Sequence, residues 1–370
     1  MSASAPPHAA LRLLAFALVS ALALPALAQQ PPPNRDDDYA ARLKSAPSAV
    51  RILLQQLEEK RQQEGWGFTI GYTEALDIPD RELTGASRFA PVGFLLRRQK
   101  AQAERVMDYY KRLREDKGIK RETYGCDATA AIFDWRAAGK VTPVRTQGRC
   151  GSCWAFAATA AFESSYMIEN NREPDASEQY VLNCTRSGSC RGGSLTRAMR
   201  QLTVYGTATE TAVPYEARKN RCLGGVATPY DAITWAIVSD TWRTIVPPDE
   251  MKRALCEHGP IATRMIVSDS FKAYTGGVYQ EVEPVSYYSN RAHFVVIVGW
   301  DETKGAWLIK NSWNPRRWGE EGFAWIKYGA NLIGHGAAWI QAAHLDLRLD
   351  PGLVAVRRGG PRTPIPTGPR

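Results

Sequence analysis

Histidine is scarce in this chain of 370 residues, with only five copies, and no apolar run is long enough to span a bilayer. No second cysteine or histidine pair has the spacing of metal ligands, so neither a metal nor another cofactor is predicted. No stretch interleaves aromatic and basic residues as a nucleic-acid module does, which excludes nucleic acid as a partner. What remains is a globular protein, in agreement with 44% hydrophobic and 23% charged residues.

The N-terminus has the features of an export signal. His8 and Arg12 precede an apolar run from Leu13 to Leu24, and Ala26-Leu27-Ala28 places small residues where signal peptidases cut. The run is shorter than the roughly 20 residues of a membrane span. We predict a signal peptide over residues 1–28, a secreted or periplasmic protein, and no stable membrane insertion after cleavage. An uncleaved N-terminal anchor is the alternative.

Three stretches of the N-terminal third carry signs of local structure. Leucines at helical spacing predict an amphipathic helix over Val50–Glu64. Gly65–Gly85 has alternating apolar and polar residues interrupted by glycine, proline and aspartate, which predicts a strand with turns. Phe94–Lys117 is predicted to form a second helix that stops at Gly118. The polar, proline-rich Gln29–Asn34 reads as a linker.

The composition changes again at about residues 126 and 350. Between them, cysteines, tryptophans, glycines and short apolar runs are dense, which predicts a folded domain over residues 126–349. Residues 350–370 are rich in proline and arginine, and we predict a flexible basic tail. This tail, like the net charge of +9 with a pI near 9.2, indicates either a solvated surface or attraction to acidic partners.

The seven cysteines suggest three disulfides and one free thiol, because cysteines of exported proteins tend to pair. Cys153 stands ahead of an alanine-rich, almost entirely apolar segment that predicts a buried helix. With Ser152 as the N-cap, Cys153 falls in the first helical turn. The N–H groups and the dipole there favour negative charge, so we expect a lowered thiol pKa and a nucleophilic thiolate.

A nucleophilic cysteine is usually activated by a neighbouring imidazole. His293 directly precedes Phe294–Trp300, which has the composition of a buried strand, so its side chain is expected to be rigidly aimed. A further strand, Trp307–Lys310, ends at Asn311. An amide at that position can accept the imidazole N–H and fix the tautomer of the ring.

These residues resemble a known family. Cys150-Gly151-Ser152-Cys153-Trp154 matches the signature of papain-like cysteine peptidases, and His293 follows Cys153 within the family's separation of about 130–150 residues. The resemblance extends from about residue 126 to 345, and the chain is similar to bacterial-type exported members. It implies an α+β fold of two domains, a helical left domain and an antiparallel β-barrel-like right domain, with the active-site cleft between them.

The resemblance also implies roles for individual residues. Cys153 attacks the scissile carbonyl, His293 carries the proton to the leaving amine, and Asn311 orients the imidazole. Gln147 donates to the oxyanion together with the Cys153 N–H. Trp313 shields the pair of His293 and Asn311 from water.

Further residues are expected to bind the extended backbone and side chains of a polypeptide substrate. Gly192 and Gly193 bind its main chain as an added strand does. Leu195, Arg264 and Arg291 border the pocket for the second residue before the scissile bond, where two arginines favour an acidic side chain. The alternative is that both arginines point to solvent.

The family's disulfides imply that Cys150 pairs with Cys190 and Cys184 with Cys222. Cys126 and Cys256 are then left to pair with each other, since Cys153 stays free. The resemblance implies that residues 29–125 contain the linker and a propeptide, so the chain is expected to be made as a zymogen. The helix over residues 94–117 is alternatively a permanent part of the mature enzyme.

The resulting prediction is a monomeric cysteine endopeptidase. The short spacing between Cys190 and Cys222, without a histidine pair, favours endopeptidase over carboxydipeptidase action. Two other classes of protein stay open. One is a disulfide oxidoreductase that uses Cys150 and Cys153 as a C-x-x-C motif, which leaves His293 and Asn311 unexplained. The other is a catalytically silent binding protein of the same fold.

Overall fold

The structure is a computed structural model that describes Met1 and residues 35–87, 93–281 and 289–357. The predicted signal peptide lies outside the described residues apart from Met1, as does most of the predicted C-terminal tail. No helix of the described part is both long and apolar enough to cross a membrane.

The described part of the N-terminal third contains the α-helices α1 (Arg35–Lys44), α2 (Ser48–Glu64), α3 (Asp80–Leu83) and α4 (Gly93–Asp116) and the short strand β1 (Phe68–Ile70). Helices α2 and α4 confirm the two predicted helices, and the strand β1 and turn α3 confirm the prediction for the stretch between them. Helix α2 ends where Gly65 adopts a φ of 63°, a conformation that glycine takes without strain.

The left half of the remaining chain is helical, with α5 (Cys153–Asn170), α6 (Glu178–Cys184) and α7 (Leu195–Val204). Helix α5 is buried on nearly all sides, as its apolar composition predicts. The side chain of Ser177 caps α6 by accepting the Tyr180 N–H at 2.9 Å. Helix α5 thus forms the rigid centre of this half.

The right half is a sheet with strand order β1-β5-β8-β7-β6-β4-β9-β3, and β2 pairs separately with β6. Its further elements are β2 (Ile132–Asp134), β3 (Ala232–Ile237), α8 (Pro248–His258), β4 (Ile261–Ile266), α9 (Asp269–Lys272), β5 (Tyr274–Tyr279), β6 (Ala292–Asp301), β7 (Ala306–Lys310), β8 (Phe323–Lys327) and β9 (His335–Ala342). The pairs are antiparallel except β5 with β8, so the sheet is mixed. The predicted α+β, papain-like architecture is confirmed.

Helix α4 belongs to the core of this body. Its buried residues Ala103, Val106 and Met107 join the main hydrophobic cluster of the sheet. Strand β3 is an edge of the sheet, and α4 covers it: Gln99 Nε2 donates to the Trp235 carbonyl at 2.7 Å. Edge strands expose unpaired backbone groups, and covering them with a helix is one way proteins prevent association there.

The start of the predicted flexible tail is a helix, α10 (Pro351–Arg357), so the prediction is wrong for these residues. Leu353 is fully buried in the main core, and Gln102 of α4 donates to the Val356 carbonyl at 2.6 Å. Asp350 caps the helix by accepting the Leu353 N–H at 3.0 Å. Packing against α4 therefore orders a segment whose proline and arginine content suggested a tail.

Candidate active site

Cys153 is the first residue of α5, as expected, and its side chain is fully buried. The expected lowering of the thiol pKa is not found: burial raises the pKa of Cys153 to about 12, and the nearby N–H groups of Phe294, Gly85 and Trp154 only partly oppose this. Gly85 belongs to the N-terminal third of the chain. With its pKa raised this far, the thiol is neutral in this form, and Gly85 is one of the backbone groups that lie against it.

His293 lies on β6 and is also fully buried. Its Nε2 is 2.7 Å from Asn311 Oδ1, which also accepts the Ser312 N–H, so Nε2 carries the proton and Nδ1 is the basic nitrogen. Nδ1 has no hydrogen-bond partner among the described residues, so it makes no hydrogen bond with the Cys153 thiol in this form. Burial lowers the pKa of His293 to about 4, although the bond to Asn311 opposes the shift.

Trp313 covers the imidazole, with 5.0 Å between the ring centroids. It is buried and packs edge-on against Trp318 at 4.9 Å and against Phe271 at 5.7 Å. An apolar cover of this kind keeps water from competing for the bond between His293 and Asn311. This is the position that the sequence predicts for Trp313.

Gln147 is fixed by several hydrogen bonds around the same centre, among them one from Nε2 to the Cys150 carbonyl at 2.8 Å. Its N–H donates to the Ser312 carbonyl at 2.8 Å, and its Oε1 accepts the Ser312 hydroxyl at 2.7 Å. The amide nitrogen is therefore turned into the cleft, where Nε2 donates to the Leu83 carbonyl at 2.9 Å. The Leu83 carbonyl oxygen thus accepts a hydrogen bond from the Gln147 amide, the group expected from the sequence to donate to a substrate oxyanion.

Residues 83–87, here called the cleft segment, run through the cleft as an extended chain. The Gly193 N–H donates to the Gly85 carbonyl at 2.9 Å, and the Ser87 N–H donates to the Gly193 carbonyl at 2.9 Å. On the opposite wall, the N–H groups of Gly85 and Ala86 donate to the Ala292 carbonyl at 3.2 and 3.0 Å. Gly193 thus pairs with an extended backbone, as predicted, and the partner is the protein's own chain.

The fit of the cleft segment requires glycine at several points. A Cβ at Gly85 would overlap the Gly151 carbonyl, and one at Gly151 would lie 2.6 Å from the Thr84 oxygen. Gly192 has a φ of 121°, and a Cβ there would meet the Gly85 oxygen at 2.9 Å. A Cβ at Gly193 would overlap the indole of Trp154. Only backbone without side chains can approach this closely.

The three predicted pocket residues are separated by the structure. Leu195 is fully buried in the cluster that holds Cys153 and Phe294. Arg264 is fully buried on β4, opposite Phe294, so it does not point to solvent. Burial and the charge of Arg264 lower the pKa of the adjacent His335 to about 4.

Arg291 lies elsewhere than predicted. It is ion-paired with Asp269 and with Asp80 of α3, where the Nε–Oδ2 distance is 3.0 Å. Asp80 precedes Leu83, whose carbonyl contacts Gln147. Gly193 instead contacts Gly85 and Ser87, which come later in the chain. Arg291 therefore pairs with the part of the chain that precedes Leu83, and not with the residues that Gly193 contacts.

Acidic residues ahead of the cleft segment make several ion pairs that the sequence analysis missed. Asp80 contacts Lys272 Nζ at 3.2 Å, and Glu82 contacts Arg149 Nε at 2.9 Å. Glu74 accepts a hydrogen bond from Asn314 at 2.7 Å. The signal in the sequence is at most opposite charge, which does not identify partners that lie 67 to 240 positions apart.

The described cysteines form the three predicted disulfides, Cys126–Cys256, Cys150–Cys190 and Cys184–Cys222, and Cys153 is the free one. Cys150–Cys190 ties the loop ahead of Cys153 to the loop that carries Gly192 and Gly193. Within the described ranges, no group of three or more histidine, cysteine or acidic side chains is placed to hold a metal ion.

This fold has a buried cysteine at a helix start, and a histidine on one strand is hydrogen-bonded to an asparagine just after the neighbouring strand. It is the fold of a cysteine protease. The chain belongs to the papain family: residues 129–342 match the family described as "Papain family cysteine protease".

The relatives come from plants and animals. A probable thiol protease of soybean, P34, is 34% identical over 232 residues, which is 59% of this chain and 59% of that protein. Cathepsin J of the rat is 38% identical over 225 residues, 58% of this chain and 64% of the relative. The match thus spans about six-tenths of the length of these relatives. They give no support to the expectation of a bacterial type.

Two solved structures illustrate the likeness in fold. Procathepsin L 3 of the Tenebrio molitor larval midgut superposes with a TM-score of 0.61 at 19% identity, covering 83% of this chain and 99% of that one. The bromelain protease of Ananas comosus, in complex with the E64 inhibitor, superposes with a TM-score of 0.51 at 30% identity, covering 58% and 100%. The proform covers more of this chain than the bromelain protease does.

Proposed function

We propose that this protein is an exported, monomeric cysteine endopeptidase that is made as an inactive precursor. Cys153 is the nucleophile, His293 the general base and then acid, Asn311 the orienting amide and Gln147 an oxyanion donor. The observation that supports this most directly is the cleft segment, because its Leu83 carbonyl accepts the Gln147 amide while Gly85 lies at the Cys153 sulfur. A polypeptide backbone is thus the ligand that this cleft fits.

The mechanism follows from the hydrogen bonds of the site. Asn311 keeps the proton of His293 on Nε2, so Nδ1 can take the thiol proton from Cys153. The thiolate attacks the scissile carbonyl, whose oxygen moves toward Gln147 Nε2 and the Cys153 N–H. Imidazolium then protonates the leaving amine, and water hydrolyses the thioester by the same path.

The precursor is inactive for two reasons. The cleft segment excludes substrate, and by burying Cys153 and His293 it disfavours the charged forms of both. Removal of the segment exposes the start of α5 to water, where the helix N-terminus stabilises a thiolate. The lowered thiol pKa expected from the sequence thus applies to the processed enzyme.

The inhibitory part is residues 35–87, and α4 stays with the mature enzyme. Glu169 of α5 has only 1% of its side chain exposed, and it binds Arg114 and Tyr110 of α4. Loss of α4 would strip a buried carboxylate of these partners and uncover the edge of the sheet. The propeptide is therefore shorter than the predicted 29–125.

Substrate selection on the acyl side involves Gly192, Gly193, Leu195 and Arg264. The two glycines hold the main chain, Leu195 supplies an apolar wall, and the buried cation of Arg264 favours an acidic second residue before the scissile bond.

The test is titration of the purified precursor with an epoxide peptide inhibitor, before and after limited proteolysis, with intact mass and peptide mapping. We expect one equivalent on Cys153 after processing, much slower labelling before it, and none in His293→Ala. Absence of label on processed protein that hydrolyses no peptide would leave the alternative, a catalytically silent binding protein. A label on Cys150 together with Cys153 would instead indicate a redox-active pair.

A further inference from the structure

Asp80, the first residue of α3, is held by two cations of the catalytic body. Its Oδ1 is 3.2 Å from Lys272 Nζ at the end of α9, and its Oδ2 is 3.0 Å from Arg291 Nε just ahead of β6. Lys272 has only 8% of its side chain exposed and Arg291 25%, whereas the Asp80 carboxylate is 38% exposed. The two cations are therefore held by the fold, and their ion pairs with Asp80 are within reach of screening by salt.

The position of this site relative to Cys153 follows from the path of the chain. Asp80 lies before Leu83, whose carbonyl is at Gln147, and Ala86 and Ser87 follow at Gly193. The two cations therefore lie across Cys153 from Gly193. On the proposed function, on which this step rests, Gly193 holds the acyl side of a substrate, so the cations face the leaving-group side.

Removal of residues 35–87 leaves an excess of positive charge at this site. Lys272 Nζ has two described hydrogen bonds, to the Ile78 carbonyl at 3.1 Å and to Asp80, and both partners leave together. Arg291 keeps its ion pair with Asp269. One of the two positive charges is thus offset within the catalytic body, and Lys272 loses both of its described partners.

We propose that Lys272 and Arg291 form a carboxylate-binding subsite that selects aspartate or glutamate within the first two substrate residues after the scissile bond. In the precursor, Asp80 occupies this subsite as an internal ligand. The subsite binds a carboxylate because two cationic donors converge on one position, and hydrogen bonds between charged groups are stronger than neutral ones. A lysine or arginine at the same substrate position is disfavoured by like charge.

The experiment uses the full-length precursor after processing, with pairs of peptides that share one acyl half. Each pair carries glutamate or glutamine at the first, or at the second, position after the scissile bond, and cleavage is followed by mass spectrometry. We expect kcat/KM to favour glutamate by about tenfold at one of these positions, the effect of one hydrogen bond to a charged group. The preference should fall as ionic strength rises.

The variants separate charge recognition from a structural effect. Lys272→Gln and Arg291→Gln should each bring the ratio between the glutamate and glutamine peptides close to one, and Lys272→Glu should reverse the preference toward a lysine peptide. The matched control is Lys252→Gln on α8, a similarly buried lysine that pairs with Asp249 and Glu302. This control should keep the tenfold ratio. Arg291→Gln provides the test on its own if the Lys272 variants do not fold.

The outcomes distinguish this inference from the proposed function. A processed enzyme that cleaves both peptides equally overturns the carboxylate subsite and leaves the peptidase standing. Equal loss of the preference in Lys252→Gln also overturns it, because the effect would then not be local to Asp80's site. Failure of the processed protein to cleave any peptide overturns the proposed function instead.

Discussion

The Leu83 carbonyl accepts a hydrogen bond of 2.9 Å from the side-chain amide of Gln147. The oxygen of one segment of the chain thus occupies the donor that, in the proposed mechanism, stabilises the oxyanion of a substrate. Inhibition and catalysis accordingly depend on the same amide, and substitutions in the two segments should have separable effects.

Gln147→Ala should lower kcat of the processed enzyme by about 10²–10³, the usual cost of one oxyanion donor, with a smaller change in KM. The measurement is steady-state kinetics on a peptide substrate. Gln201→Ala is the control, since Gln201 is also buried and donates to a backbone carbonyl, that of Gly206, away from the cleft. Similar losses of kcat in both variants would contradict the role of Gln147.

Gly85→Ala should make the precursor leaky, because a Cβ at residue 85 overlaps the Gly151 carbonyl and the cleft segment cannot seat. Overpacking of this kind costs about 1–3 kcal/mol, so epoxide labelling of Cys153 in the uncut precursor should accelerate about tenfold or more. Gly67→Ala is the control, with its nearest neighbour at 3.7 Å. Unchanged labelling in Gly85→Ala would mean that the segment does not limit access.

Asp80→Asn should also accelerate labelling of the precursor, by about tenfold, because it removes the charge that faces Lys272 and Arg291 while keeping the size of the side chain. The difference from the unsubstituted precursor should shrink in high salt. Asp38→Asn changes the charge of the same segment at an exposed position of α1 and should have no such effect. Equal acceleration in both variants would point to net charge and not to this contact.

Arg114→Leu should destabilise the processed enzyme by about 3–5 kcal/mol, because it leaves the buried carboxylate of Glu169 without its closest ion pair. Urea unfolding of processed protein measures this. Arg112→Leu, an exposed change on the same helix, is the control. If α4 were removed with the propeptide, neither variant would differ from the unsubstituted enzyme after processing.

The precursor should lose stability as the pH falls from about 6.5 toward 4. Burial lowers the pKa of His293 to about 4, so the unfolded chain binds a proton in this range that the closed form does not. Each pKa unit corresponds to about 1.4 kcal/mol, which gives His293 a share of about 3 kcal/mol. Urea unfolding at pH 7 and at pH 4.5 should therefore differ less in His293→Gln than in the unsubstituted precursor.

His258 and His335, whose pKa values burial lowers to about 3 and 4, contribute to the same loss and persist in this variant. His344→Gln, outside the cleft, is the control for replacing a histidine. If His293→Gln shows the same dependence of unfolding free energy on pH as the unsubstituted precursor, His293 does not contribute to the loss of stability at low pH.

The sequence was sufficient to predict the residues that share a local motif or belong to a regular element. Cys153 at the start of a buried helix, His293 on a buried strand and the helix over Val50–Glu64 all follow from local pattern. Two of the disulfides followed from likeness to a family, and the third followed by elimination. These features depend little on how distant parts of the chain dock.

What the sequence did not predict depends on contacts between remote segments. The thiol pKa of Cys153 is raised because Gly85 covers it, and α10 is ordered because α4 lies beside it. Arg291 pairs with Asp80, a residue of a remote segment that the sequence does not identify as its partner. No periodicity or composition carries such information.

The complete burial of Cys153 has a consequence for how the molecule matures. Six cysteines must be oxidised to partners 38 to 130 positions away, while the seventh must stay reduced. Disulfide exchange requires a thiolate that another sulfur can reach. With its pKa near 12 and the backbone of Gly85 over it, Cys153 meets neither requirement. In this closed form, residues 83–87 thus keep the one unpaired sulfur out of disulfide exchange with the three crosslinks.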